Sequence, residues 1–178
     1  MTIPIHSWYF MDLYDGDKNK YDVGLRNSAM AGQLDVLKYF IEKGKDAGAQ
    51  CGKEVLQQAL LAAARCNRLE IVKYLIEKCD VDAHFEEDYL LFVSAKNDAL
   101  EVMKYLIEEC NANVHTHDDM ALRISMFMSR EHIVKYLIEK CGANVHAGDD
   151  FLLRQTVHSE TEKDFHKYVR SKCLQTSE

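Results

Sequence analysis

Cysteine and histidine recur together along this chain: Cys79 with His84, Cys110 with His115 and Cys141 with His146, with His117 as an extra imidazole beside the second pair. Thiolate sulfur and neutral imidazole nitrogen are good zinc ligands, and sharing of one metal ion by rungs in neighbouring units of a repeating structure is the chemistry they suggest. The spacing argues otherwise. Cys-x4-His is not a recognised structural zinc spacing, and repetition of a loop sequence explains the ladder by itself. Metal binding stands as a low-ranked alternative, and no metal ligand and no cofactor are expected. Equivalent positions of stacked helices lie about 8–10 Å apart, beyond the roughly 7 Å that a disulfide spans between Cα atoms, so these cysteines are expected to be reduced.

Other chemistry is thinner still. The sequence holds no Gly-rich phosphate loop, no Gly-x-Ser-x-Gly elbow and no His-Glu-x-x-His, so no catalytic residue is assigned and the chain is not expected to be an enzyme. Lys38 with Glu42, Lys73 with Glu77, Lys104 with Glu108 and Lys135 with Glu139 are i, i+4 pairs expected on a solvated outer face, contributing about 0.2–0.5 kcal/mol each. A net charge of −7 repels phosphate backbones and anionic membranes, which sets aside nucleic acid and membrane as partners. No apolar run approaches the roughly 18 residues of a spanning helix, and the first residues lack the basic flank and apolar core of a signal peptide. A soluble, intracellular protein, cytoplasmic and monomeric, is the expectation. With 178 residues, 47% of them hydrophobic and 29% charged, the chain suits one structured domain.

The elements that would position these residues follow a ladder of Lys-Tyr pairs: Lys38-Tyr39, Lys73-Tyr74, Lys104-Tyr105, Lys135-Tyr136 and Lys167-Tyr168, at steps of 35, 31, 31 and 32 residues. That is a tandem array. In register upstream stand Leu25, Leu60, Leu91 and Leu122, with Leu153 one residue out, each expected to open a short first helix. Small pairs follow, Ser28-Ala29, Ala63-Ala64 and Ser94-Ala95, with Ser125-Met126 a partial exception; small side chains let helices approach closely. After a turn at Gly32, Asn67 or Asp98 a second helix is expected over 34–43, 69–78, 100–109 and 131–140, its apolar residues at helical spacing as at 71, 72, 75 and 76. The segments CDVDAH, CNANVH and CGANVH suit a helix end and a projecting loop. A helix pair this short cannot bury its apolar stripe alone, so stacking must supply the core. The fifth unit carries His166 and Arg170 where earlier units carry Val or Met and Ile, as befits an uncovered end, and Ser7 to Met11 is expected to cap the other. The domain reading is a cap over 1–21, repeats over 22–172 starting near 22, 57, 88, 119 and 150, and a tail over 173–178.

The helix-turn-helix units, the Leu-Glu-Ile-Val-Lys-Tyr-Leu-Ile-Glu-Lys segment at 69–78 and Gly-Ala-Asn-Val-His at 142–146 together resemble ankyrin repeats over roughly residues 22 to 172. The resemblance implies an all-α solenoid of about five helix-turn-helix repeats. Two departures stand out: the usual period is about 33, and the Thr-Pro-Leu-His opening is replaced by Asp-x-x-Leu-Arg at 22–26, 119–123 and 150–154. This shortened style resembles the ankyrin proteins of mimivirus-like giant DNA viruses, and implies a protein-binding role toward host proteins.

Comparing the repeats with one another separates fixed from varying positions. Beside the first-helix Leu a stripe at i, i+3 and i+7 changes character: Gln58, Leu61, Arg65; Tyr89, Phe92, Lys96; Met120, Arg123, Phe127; Phe151, Arg154, His158. By resemblance these line a concave face and are the expected partner-binding residues, being rich in the aromatics and arginines that dominate interfaces. The plainer reading is that Phe92 and Phe127 fill gaps between helices, and that Asp119 with Arg123 forms a helix cap and a local ion pair. The leading expectation is a non-enzymatic protein-interaction module. A structural or self-associating viral component is the alternative, and a ubiquitin-ligase adaptor ranks low because the segment after Cys173 is too short for an F-box-like tail.

Overall fold

The computed structural model describes residues 18–46, 52–154 and 160–175, and the Ser7 to Met11 segment expected to cap the first repeat lies outside them, as does His158. The described residues form helices and connecting turns with no strand among them: α1 (Lys18–Ala31), α2 (Leu34–Asp46), α3 (Lys53–Arg65), α4 (Leu69–Cys79), α5 (Phe85–Lys96), α6 (Leu100–Glu108), α7 (Thr116–Phe127), α8 (Glu131–Cys141), α9 (Ala147–Arg154) and α10 (Glu160–Gln175). Two compact units divide between Ala83 and His84. In the first, α1 packs on α2 and α3, and α3 on α4; in the second, α7 packs between α5 and α9, with α6, α8 and α10 each against its own first helix.

The first four helix pairs each turn on a left-handed residue. Gly32, Asn67, Asp98 and Ser129 all have positive φ, and the following amide reaches back to a small-residue carbonyl: Gln33 to Ser28 at 3.0 Å, Arg68 to Ala63 at 2.9 Å, Ala99 to Ser94 at 2.9 Å and Arg130 to Ser125 at 2.8 Å. That six-to-one bond closes the helix end. The second helices also end on a left-handed residue, Asp80, Asn111 or Gly142, but with a bond one residue longer, Val81, Ala112 and Ala143 donating to Leu75, Leu106 and Leu137. Beyond it the chain anchors alternate side chains, burying Val81, Ala83, Ala112, Val114, Ala143 and Val145.

The small pairs are buried as expected, and Leu25, Leu60, Leu91 and Leu122 are 0–1% exposed. Full burial of such side chains contributes about 1.5–3 kcal/mol each. Their place in the helix differs between the units. Leu25 and Leu60 sit midway along α1 and α3, whereas Leu91 and Leu122 stand close behind an irregular entry to α5 and α7. On the second helices Ile71, Val72 and Leu75 are buried and Ile76 is half-exposed, a pattern repeated at 133, 134, 137 and 138. In α10, Arg170 is exposed and His166 half-buried, while Phe165, Val169 and Cys173 form the buried stripe. This helix runs on to Gln175, so the tail expected from 173 begins as part of the last helix.

Candidate interaction surface

A histidine and an aspartate four residues apart open each first helix of the second unit. His84 Nδ1 lies 2.6 Å from Asp88 Oδ1, His115 3.1 Å from Asp119, and His146 2.6 Å from Asp150. Between each pair the backbone is left-handed: Glu86, Glu87 and Asp88; His117, Asp118 and Asp119; Gly148, Asp149 and Asp150 all have φ between 48° and 65°. Such a conformation costs about 1–2 kcal/mol for each residue with a Cβ, so the turn needs compensation. Its backbone supplies some, the amides of Asp88, Asp119 and Asp150 donating to the carbonyls of His84, His115 and His146.

The carboxylates also hold the next loop. Asp88 accepts from the Asn113 amide and Asp119 from the Asn144 amide, both at 2.9 Å, and these two side chains are 8% and 5% exposed. Buried carboxylates require such partners. Asp150, whose side chain is 52% exposed, keeps only the histidine among these contacts. The histidine ladder thus orders loops through Nδ1. Among the described residues no group of three or more His, Cys, Asp or Glu is placed to hold a metal ion.

The arginines of the stripe act on the same turns. Arg123 donates from Nε to the Asp118 carbonyl and from Nη2 to that of His117, both at 2.9 Å, and Arg154 donates to Gly148 at 2.6 Å. The local Asp119–Arg123 ion pair of the plainer sequence reading is replaced by these bonds, because the left-handed turn points its carbonyls at the guanidinium. Asp118 reaches on to accept from the Gly148 amide at 2.7 Å. A Cβ built on Gly148 would stand 2.7 Å from Arg123 Cδ, so this glycine supplies both the positive φ and the room for the arginine.

The remaining stripe residues divide by burial. In the first unit Gln58 and Arg65 are exposed, but Leu61 is only 8% exposed and belongs to the core, since its side chain is taken up by packing. In the second unit Tyr89 and Phe92 are half-buried and stack at 5.4 Å, with the Lys96 ammonium 5.9 Å from the Phe92 ring centre. Met120 and Phe151 are half-buried, Lys96 and Arg154 exposed. Phe127, at 63% exposed, fills no gap between helices.

The Lys-Tyr ladder lies on the second helices and, within each unit, joins one repeat to the next. The Lys38 ammonium stands 5.2 Å from the Tyr74 ring centre, and Lys135 5.4 Å from that of Tyr168. Tyr136 donates to Glu108 at 2.8 Å and Tyr168 to Glu139 at 2.7 Å. The expected Lys104–Glu108 and Lys135–Glu139 pairs therefore give way: Lys104 bonds Glu101 at 3.0 Å and Lys135 bonds Glu131 at 2.5 Å. Burial first, then the hydrogen bond to glutamate, pushes the Tyr136 and Tyr168 phenols well above their ordinary value. Tyr74 is pushed up by burial and by Cys79 and Glu42. Burial likewise pushes the Cys141 and Cys173 thiols up, which keeps them protonated and poor nucleophiles. Cys66, Cys79, Cys110, Cys141 and Cys173 are reduced.

A family model described as ankyrin repeats (3 copies) matches residues 25–118 and, in a second register, residues 60–149. No curated protein matches the chain. No helix among the described residues is long and apolar enough to cross a membrane.

Proposed function

Because this chain belongs to the ankyrin-repeat family, we propose that it is a non-enzymatic, monomeric recognition module that binds a protein through its first-helix stripe and the adjoining turns, the concave side in the family resemblance. One observation carries the reading: Leu91 and Leu122 are at most 1% exposed, while Phe127, a large aromatic on the same helix as Leu122, is 63% exposed. Aromatic side chains left accessible on a rigid helix are the residue type that dominates interface energetics. Tyr89, Phe92, Lys96, Met120, Phe127 and Phe151 are the contacts proposed in the second unit, and Gln58 and Arg65 in the first. Arg123 and Arg154 shape the turns beside them. The giant-virus style of the repeats directs the search to host proteins.

The test is affinity purification with the wild-type chain and with Tyr89→Ala, Phe92→Ala and Phe127→Ala combined. Loss of a specific partner with an unchanged thermal midpoint supports the assignment. A partner retained at full affinity by the triple variant removes it.

A further inference from the structure

Resting on that recognition surface, we infer that its occupant in the second unit is a basic, apolar polypeptide segment: Lys or Arg side chains meet the left-handed turns, and aliphatic or aromatic side chains meet the rings of the stripe. The turns present Glu86, Glu87, Asp118 and Asp149 to solvent, the Glu87 side chain being 78% exposed. The cations nearby, Arg123, Arg154 and Lys96, are outnumbered by the turn carboxylates at 86–88, 118–119 and 149–150. Arg123 and Arg154 donate to turn carbonyls, Lys96 lies over Phe92, and His84 and His115 face Asp88 and Asp119. His117 stands 3.8 Å from Glu87 and offsets one carboxylate when protonated.

Acidic turns and apolar stripe are contiguous. Tyr89, Met120 and Phe151 directly follow the last left-handed residue of each turn, and Arg123 both holds its own turn and lies against the next one at Gly148. A purely apolar ligand would desolvate these carboxylates without replacing their water. An acidic segment or a phosphate backbone is repelled. A second copy meeting this face across a two-fold axis brings two like-charged sets of turns together.

The geometry also sets a spacing. Neighbouring packed helices lie about 8–10 Å apart, and a chain in the polyproline conformation advances about 3.1 Å per residue with about three residues per turn, so cationic side chains at about every third residue face successive turns.

Selection of a random peptide display library on the full chain tests this. The enriched peptides are then measured by fluorescence anisotropy against wild type, against combined Glu86→Gln, Glu87→Gln and Asp149→Asn, and against Phe127→Ser, with folding of each variant checked by circular dichroism. Expected are peptides with Lys or Arg about every third residue around apolar residues, bound about 10-fold or more weakly by the charge variant and by Phe127→Ser, and weakened by added salt. Neutral or acidic peptides, or basic ones indifferent to the charge variant, overturn the basic class; if they still lose affinity on Phe127→Ser, the surface itself stands. Peptides indifferent to both variants, or no enrichment at all, overturn class and surface together. Concentration-dependent dimerisation abolished by Phe127→Ser makes a second copy the occupant and also overturns the inference.

Discussion

In the first unit Gln57 donates its side-chain amide to the Asp82 carbonyl at 3.4 Å, whereas in the second Asp88 and Asp119 accept the Asn113 and Asn144 amides at 2.9 Å, each bond linking residues 25 apart. The tie between a first helix and the loop after the following helix is common to both units, but its polarity is reversed. A neutral amide needs little else. A buried carboxylate needs a second partner, and the residue four positions earlier changes with it, from Lys53 ahead of Gln57 to His84 and His115 ahead of the aspartates. The left-handed turn comes with the carboxylate version, and α3 enters its helix from Gly52 without one. Unit two therefore carries a strained, acidic, projecting turn where unit one carries an ordinary helix start.

The core sets the scale for that contrast. Leu60→Ala in the first unit and Leu122→Ala in the second should each lower stability by about 2–5 kcal/mol in urea unfolding, since both side chains are fully buried. Asp119→Ala should follow at about 1.5–3 kcal/mol and Gln57→Ala at about 0.5–1.5 kcal/mol, the difference being that of charged and neutral hydrogen bonds. Equal losses at these two positions would break the comparison.

Ser94 sharpens it with a change of sign. Ser28 donates to Leu25, and Ser125 to Ala121 and Leu122, but the Ser94 hydroxyl is buried without a hydrogen-bond partner among the described residues. Ser94→Ala, the residue that unit one carries at Ala63, should raise stability by about 1 kcal/mol or more in the same unfolding assay.

The smallest effect is on alkaline stability. The Tyr136 and Tyr168 phenols are held above the ordinary value of 10.0, so the fold favours their protonated form. Their contribution is complete below about pH 10 and is lost as pH rises beyond it. Tyr136→Phe with Tyr168→Phe should flatten the decline of the thermal midpoint between about pH 9.5 and 11. An unchanged alkaline slope would place these phenols in water.

Most of the repeat was legible because it is written in residue type and period: the leucines, the small pairs, and Gly32, Asn67 and Asp98 at positive φ. Ser129 takes the same left-handed place, which serine seldom does, so its residue type gives no sign of it. The turns at 86–88 and 117–119 were not legible. Aspartate and histidine enter left-handed backbone as single residues and glutamate seldom does, so a run of three is not foreshadowed by residue type, and only Gly148 hints at it. For the same reason Arg123 read as a free contact residue, although its partners are carbonyls that exist only once the turn has formed. Sequence spacing pairs the glutamates of the Lys-Tyr ladder with lysines of their own helix, because it shows i, i+4 neighbours and hides those one repeat away.

The central claim is that packing and recognition occupy different side chains of one helix. Phe127→Ala and Leu122→Ala, each measured for urea midpoint and for affinity to the same partner or selected peptide, test it most directly. Phe127→Ala should leave stability within about 0.5 kcal/mol of wild type and weaken binding by about 10-fold or more, whereas Leu122→Ala should lower stability by about 2–5 kcal/mol. A Phe127→Ala protein that binds as wild type does, or unfolds as readily as Leu122→Ala, would contradict the account.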